Sequence, residues 1–247
     1  MAKQGDSLSV GVAHDLLQRI IADEFPSGSS MPSERDLQER YGVSRTVVRE
    51  ALKVLLSRGL ISMNGRQRAV VGGDLTSPAS DALVLAFHRS HVCVDDLLGT
   101  RLLLEPLIAG LAAQHATPVQ TRRLTALSAT LEQVPGEGGE ERVSDELRLD
   151  IDVRFHILLA EASQNPVLGI LIEVLVGIVW RHRRAVKLSF TEEHRAQIIA
   201  QHSAIAQAVA ARDPEQARQA MIAHLEYTRH YLAAREDSLQ ELVEDLL

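Results

Sequence analysis

The spacing of apolar and polar residues predicts two short helices joined by a tight turn in the N-terminal part of the chain. Apolar residues recur at helical spacing from Val47 to Leu56, and Ser44 precedes them as a favourable N-cap, because its hydroxyl can accept a hydrogen bond from a free amide of the first turn. Gly42 suits the turn, which favours a residue tolerant of positive φ. The opposite face of the second helix is polar, with Arg45, Thr46, Arg49 and Lys53. This pattern is typical of a helix-turn-helix whose second helix enters a major groove, where arginine binds phosphates or the paired acceptors of a guanine.

Helical periodicity continues from Pro78 onward, with too few aromatic residues and β-branched runs for a sheet. Seven helices are predicted, near 79–90, 94–116, 118–133, 144–163, 166–188, 192–211 and 214–236. Asn165-Pro166 and Asp213-Pro214 each place a capping side chain before a proline at the first helical position. We therefore expect a DNA-binding domain over 1–73, a linker over 74–78, and an all-α bundle of six or seven helices over 79–247.

Charge is distributed unevenly along the chain. The full sequence has a formal net charge of −7 at pH 7. From Arg35 to Arg68, however, eight Lys and Arg residues stand against three Asp and Glu residues, whereas residues 74–247 hold 16 basic against 25 acidic residues. The helix-turn-helix is therefore a basic segment of an acidic protein, as expected of a segment that contacts the phosphate backbone.

Composition also bears on the compartment. No apolar run approaches the roughly 18 residues that a membrane span needs, and the polar N-terminus lacks the hydrophobic region of a signal peptide. A single cysteine, Cys93, excludes an intramolecular disulfide. We therefore expect a cytoplasmic protein with no membrane partner.

Four residues of the predicted bundle have the chemistry of a metal site. Asp152 and His156 lie one turn apart on the apolar face of one helix, and His202 and His224 lie on the apolar stripes of two later helices. Burial of an ionised aspartate without a positive partner is costly, and neutral imidazoles do not supply that charge. A divalent cation satisfies all four residues, and the mixed nitrogen and oxygen ligands suit Zn, Ni, Mn or Fe. We expect zinc in the protein as purified.

The motifs of both parts resemble those of GntR-type bacterial transcription regulators, in the FadR-type branch that carries a metal-binding C-terminal effector domain, the FCD domain. In the N-terminal part the resemblance covers residues 8–73 and includes Pro32-Ser33-Glu34-Arg35 ahead of the turn. It implies a first helix over 8–24 and a two-stranded wing from 60–61 to 70–71, which makes the domain a winged helix-turn-helix. The family's DNA contacts would fall on Arg35, Arg45, Thr46, Arg49 and the wing around Gly65.

The wing departs from the family pattern. The family usually has Gly-x-Gly followed by a small residue and an aromatic, whereas this chain has Gly65-Arg66-Gln67-Arg68-Ala69. The departure weakens the expectation that the wing tip inserts into a minor groove. Arg66 and Arg68 can still reach phosphates or a narrow groove.

In the C-terminal part the resemblance rests on the order Asp152-x-x-x-His156, His202 and His224, with Arg101-x-x-x-Glu105 upstream. It implies that the four residues are metal ligands and that Arg101 binds the carboxylate of an effector as a bidentate fork. A simple ion pair between Arg101 and Glu105 on one helix turn is the alternative. The metal ligands argue for the group of regulators whose effectors are small carboxylates.

The expected function is that of a homodimeric, non-enzymatic regulator. It would repress transcription from a palindromic double-stranded DNA operator and would be released by an organic or sugar acid bound at the metal. Two alternatives stay open: the ion is structural or is itself the signal, or the site belongs to a metal-dependent hydrolase. The hydrolase needs a general base beside the metal, and the sequence does not nominate one.

Overall fold

The computed structural model describes residues 2–63, 68–72, 76–134, 141–185 and 191–233 of the 247-residue chain. The chain divides into two compact units, Met1–Ala79 and Ser80–Leu247. The described residues form ten helices and one two-stranded sheet, which confirms the predicted mainly α class. None of the described helices has the length and apolar character needed to cross a membrane.

Three helices and a small sheet form within residues 2–63 and 68–72 of the N-terminal unit. In chain order these are α1 (Ala2–Ile21), α2 (Glu34–Tyr41), α3 (Arg45–Ser57), β1 (Ile61–Ser62) and β2 (Val70–Val71). The strands pair antiparallel, with Ile61 opposite Val71. Leu16, Leu37 and Leu55 are fully buried and join the three helices in one core. The sheet lies where the two-stranded wing is predicted.

The turn between α2 and α3 forms as the sequence predicts. Ser33 begins α2 with a capping box, in which its hydroxyl accepts from the Asp36 amide and the Asp36 carboxylate accepts from the Ser33 amide at 3.0 Å. Gly42 ends α2 with a φ of +63°. Ser44 begins α3 by accepting from the Val47 amide at 3.4 Å. The predictions of a turn glycine and an N-cap serine are confirmed.

The first helix differs at both ends from the predicted range of 8–24. α1 starts before residue 8 and ends at Ile21. It ends there because Asp23 adopts a φ of +57°, and the amide of Glu24 turns back to donate to the carbonyl of Arg19 at 2.9 Å.

Within the described residues, seven helices follow β2, in agreement with the six or seven predicted. They are α4 (Thr76–Arg89), α5 (Val94–His115), α6 (Pro118–Gln133), α7 (Glu141–Ala162), α8 (Pro166–Ala185), α9 (Glu192–Ala210) and α10 (Pro214–Ala233). α5 packs against α10, α7 packs against α8, and α6 packs against α7 and α9. Phe155 of α7, Ile205 of α9 and Met221 of α10 are fully buried in the core that these helices share with α5.

Helix starts in this bundle follow local sequence signals. The Asn165 side chain accepts from the Val167 amide at 3.1 Å, and the Asp213 side chain accepts from the Gln216 amide at 2.9 Å, so both predicted caps are confirmed. α4 begins at Thr76, inside the segment predicted as a linker. The proline of this segment lies in the first turn of α4, where its missing amide costs no helical hydrogen bond.

Candidate metal centre

The structure brings Asp152, His156, His202 and His224 together. One ligand atom from each residue lies within 4.8 Å of all the others, and all four residues are buried. α7 supplies Asp152 and His156 from adjacent turns, while α9 and α10 supply one histidine each. The four positions lie on core-facing stripes, so the packing of three apolar helix faces also gathers the polar side chains.

The three histidines present the same ring nitrogen to this cluster. His156 Nε2 lies 3.3 Å from His224 Nε2, and His202 Nε2 lies 3.2 Å from Asp152 Oδ1. His156 Nε2 lies 3.8 Å from the same Asp152 oxygen. The potential ligand set is therefore three Nε2 atoms and one carboxylate.

The other ring nitrogen of each histidine is held by an oxygen. Nδ1 donates to an acceptor in all three cases: His156 to Glu105 Oε2, His202 to the carbonyl of Ile198 at 2.9 Å, and His224 to Gln201 Oε1 at 3.1 Å. Because a carbonyl or an ionised carboxylate only accepts, we assign the proton of each neutral ring to Nδ1. Such outer hydrogen bonds fix the tautomer and orientation of metal-binding histidines.

This tautomer leaves lone pairs facing one another inside the cluster. The two Nε2 atoms of His156 and His224 then approach without a proton between them, and His202 Nε2 faces the carboxylate of Asp152 at 3.2 Å, also without a proton. Facing lone pairs repel, and a buried acceptor without a partner is costly. A cation between the four groups removes both penalties, so the donor set fits a divalent metal.

Electrostatics favour the ligand forms of these side chains. Burial by itself raises the pKa of Asp152, but a hydrogen bond from His202 and positive charge at His156, His202 and Arg183 hold this pKa well below its usual range when the two rings are protonated. A metal ion supplies the positive charge when the rings are neutral, so Asp152 is ionised in the metal-bound site. Burial, together with His202 and His156, holds the pKa of His224 well below its usual value, so its imidazole is neutral. A carboxylate and neutral imidazoles are the forms that bind metals.

Glu105 has a role that the sequence analysis missed. Its Oε1 accepts from Arg101 Nε at 2.5 Å, while its Oε2 accepts from His156 Nδ1. Burial by itself raises the pKa of Glu105, but Arg101 and His156 outweigh it and lower this pKa to about 2. The ion pair with Arg101, considered as an alternative above, is therefore present. Through Glu105 the ion pair is also connected to His156, a candidate metal ligand.

Cationic side chains surround the cluster. Arg101 is 2% exposed, and its Nη2 has no hydrogen-bond partner among the described residues. Arg183 Nη1 donates to Asp152 Oδ2 at 3.4 Å. A pocket next to Asp152 is lined by Arg148, Arg183 and Arg195. None of these three arginines is named in the sequence analysis. Arg101 does not line that pocket; its guanidinium contacts Glu105 instead.

The candidate DNA-binding residues lie on the surface of the N-terminal unit. The exposed fraction of the side chain is 83% for Arg35, 72% for Arg45 and 60% for Arg49, and Thr46 is also exposed. All four belong to α2 and α3. Two further candidates, Gly65 and Arg66 of the predicted wing, lie outside the described residues.

Comparison with known proteins agrees with both units. Residues 8–71 match the family model of bacterial regulatory proteins of the gntR family, and residues 96–227 match the FCD domain. The HTH-type transcriptional repressor NanR of Edwardsiella tarda is 32% identical over 226 residues, which cover 88% of this chain and 82% of that protein. The protein of the same name from an Enterobacter species is 34% identical over 227 residues, with the same coverage.

A solved structure extends the agreement to the fold. A GntR protein of Streptococcus agalactiae aligns with a TM-score of 0.65 at 26% sequence identity, over 90% of this chain and 99% of that one. The two domain models together span most of the chain, and the relatives match it across both units. The chain therefore belongs to the gntR family of bacterial regulatory proteins and carries an FCD domain in its C-terminal part.

Proposed function

We propose that the protein is a DNA-binding transcriptional repressor that is controlled by a small carboxylate bound at a divalent metal. Membership of the gntR family and the repressors among its relatives support the regulatory role and speak against an enzyme. The observation that supports a metal is the convergence of three histidine Nε2 atoms and Asp152. The Nδ1 atom of each histidine is hydrogen-bonded to an oxygen outside the cluster.

The metal would be held by Asp152, His156, His202 and His224. Three nitrogens and one oxygen suit Zn, Ni, Mn or Fe, and zinc is expected in the protein as purified. When bound, the ion supplies a Lewis acid to which a carboxylate oxygen of the effector can coordinate. The outer partners Glu105 and Gln201 keep two of the rings in the ligand tautomer.

Arginines beside the cluster would also contact the effector. Arg101 is the residue proposed to bind the effector's carboxylate, because its buried Nη2 has no hydrogen-bond partner among the described residues and is unfavourable until an acceptor arrives. Arg183 already contacts the carboxylate of Asp152 and borders the neighbouring pocket. An organic or sugar acid matches this combination of a metal and guanidinium groups.

The N-terminal unit would supply operator binding. A homodimer would place two copies of α3 in successive major grooves of a palindrome, with Arg35, Arg45, Thr46 and Arg49 near the DNA. Because affinity depends on both copies fitting at once, a small shift of the effector domains weakens binding, and each tenfold loss corresponds to about 1.4 kcal/mol. The effector would thus release the operator.

The test is a thermal-shift screen of organic and sugar acids on the metal-loaded full-length protein, repeated after chelation. An acid that raises the melting temperature only with metal present is expected, because ligand that binds the native state stabilises it. His202→Ala should lose this response, whereas His115→Ala, which removes an exposed histidine of α5, should keep it. A shift on metal addition with no response to any acid would instead support a structural ion or a metal sensor.

A further inference from the structure

Glu34, the first residue of α2, places its carboxylate between two arginines of α3. Its Oε2 accepts from Arg45 Nε at 2.6 Å, and its Oε1 lies 3.8 Å from Arg49 Nε. Both arginines are candidate DNA contacts, and Glu34 itself is about one third exposed, with 32% of its side chain accessible. The carboxylate of Glu34 in α2 therefore binds the face of α3 that carries Arg45, Thr46 and Arg49, which we call the reading face.

The position of Glu34 is not explained by helix capping. An acidic residue in a first turn often complements the helix dipole, but Asp36 already accepts from the Ser33 amide at 3.0 Å and completes the capping box. The side chain of Glu34 instead reaches the neighbouring helix. Its contacts with Arg45 and Arg49 therefore call for a reason in the function of α3.

The hydrogen bond determines which part of Arg45 is available to DNA. A guanidinium presents five donors in a rigid planar fork. When a carboxylate holds Nε, the edge formed by Nη1 and Nη2 can still donate two parallel hydrogen bonds, and this edge matches O6 and N7 of a guanine. Glu34 also limits the rotation of Arg45, so fewer side-chain conformations are lost when the base is bound.

The same carboxylate lowers the positive charge of the reading face. Attraction between arginine and phosphate is independent of sequence and dominates non-specific binding to DNA. A negative charge next to Arg45 and Arg49 weakens that attraction on every duplex, whereas a base contact is regained only on the correct one. We propose that Glu34 is a specificity-determining residue of operator binding, which orients Arg45 toward a base and suppresses non-specific binding to phosphates. This inference rests on the proposed DNA-binding function.

Two variants separate orientation from charge. Glu34→Gln removes the charge, and Glu34→Asp keeps the charge but shortens the side chain by one methylene. The matched control is Glu50→Gln, because Glu50 lies on α3, pairs with Lys53 at 2.8 Å and, among the described residues, forms no ion pair with Arg45 or Arg49. Glu34→Gln and Glu50→Gln change the net charge of the reading face by the same amount.

The experiment uses the full-length protein. The wild type first selects its preferred site from a pool of random duplexes, and each variant is then titrated by fluorescence anisotropy against that site and a shuffled duplex of equal composition. Glu34→Gln should bind the shuffled duplex more tightly and lose about tenfold in the ratio of the two affinities. Glu34→Asp should lose part of the ratio with no gain on the shuffled duplex. Glu50→Gln should strengthen binding to both duplexes and keep the ratio.

Equal gains on both duplexes for Glu34→Gln, as for Glu50→Gln, would overturn the inference, because Glu34 would then act only as a charge. An unchanged ratio together with unchanged affinities would overturn it as well. A wild type that enriches no sequence would remove the DNA-binding function and this inference with it, and the selection step shows this before any variant is measured.

Discussion

Two arginine–carboxylate pairs of nearly equal length occupy opposite environments in this protein. Arg45 and Glu34 meet at 2.6 Å on the surface of the N-terminal unit, with 72% and 32% of their side chains exposed. Arg101 and Glu105 meet at 2.5 Å inside the C-terminal unit, with 2% and 1% exposed. The length of the ion pair does not distinguish the two pairs. The difference in their functional roles therefore follows from how far each pair is exposed to solvent.

The exposed pair is adjustable. Solvent-exposed ion pairs contribute about 0–1 kcal/mol, so Arg45 can shift to meet a base at little cost while Glu34 stays at its Nε. In the buried pair, both charges have left water, and removal of either partner leaves an uncompensated charge. The first pair can therefore adjust as Arg45 meets a base, whereas the second keeps Glu105 against His156 and so maintains the shape of the candidate metal site.

The largest effect is expected for Glu105→Ala. This change leaves the Arg101 guanidinium buried without its partner and frees His156 Nδ1, and it should reduce the free energy of unfolding by about 3–5 kcal/mol. Urea denaturation of the metal-free protein measures the loss. Glu105→Gln keeps an oxygen acceptor of similar shape and should lose less. A loss below about 1 kcal/mol for Glu105→Ala would show that the buried pair behaves like the exposed one.

Removal of the metal should have the next largest effect. A ligand present at 100 times its dissociation constant stabilises the native state by about 2.7 kcal/mol, so chelation should lower the stability of the wild type by roughly that amount. His202→Ala should show no further change on chelation, because one of the four ligands is absent. The same chelation series on Arg45→Ala should match the wild type, since Arg45 lies on the exposed face of α3 and is not one of the four candidate ligands. Equal sensitivity of all three proteins would place the ion elsewhere.

Arg212 provides an intermediate case between the two pairs. Although exposed, it donates to the carbonyls of Ala113 at 3.3 Å, Gln114 at 3.2 Å and Ala116 at 2.5 Å, which end α5. These acceptors are fixed by the backbone and do not leave for another partner, so Arg212→Ala should cost about 1–2 kcal/mol. The backbone of Arg212 has a φ of +57°. This conformation is about equally unfavourable for arginine and for alanine, so it does not contribute to the expected loss. Urea denaturation with Arg122→Ala, an exposed arginine of α6, as the control measures the difference.

Local features of the chain were the most predictable. The caps at Ser44, Asn165 and Asp213 follow from side chains that compete for the free amides of a first turn, and the structure confirms all three. The four candidate ligands could be selected because polar residues on apolar helical stripes are costly without a partner. Leu56, assigned from its spacing to the apolar face of α3, is 40% exposed, since spacing does not show where the neighbouring elements end.

Contacts between distant segments were not predictable. Glu105 and His156 are 51 residues apart, and the side chain of Gln201 meets His224 across 23 residues. The sequence shows that Glu105 follows Arg101 by one helical turn, which suggests only a local ion pair. The second oxygen finds His156 because α5 packs against α7, and that packing is decided by apolar faces with no local signature. The pair of Glu34 and Arg45 escaped prediction for the same reason.

The smallest effect on stability is expected for Glu34→Gln, although its expected effect on sequence preference is large. The exposed pair with Arg45 contributes at most about 1 kcal/mol, so the free energy of unfolding should change by less than that amount. Urea denaturation at low and high salt is the measurement, and Glu39→Gln, which breaks the exposed pair with Arg35 on the same helix, is the control. A loss several times larger than that of Glu39→Gln would mean that Glu34 holds α2 and α3 together. The pair would then be structural despite its exposure, and burial would no longer distinguish the role of Arg45 from that of Arg101.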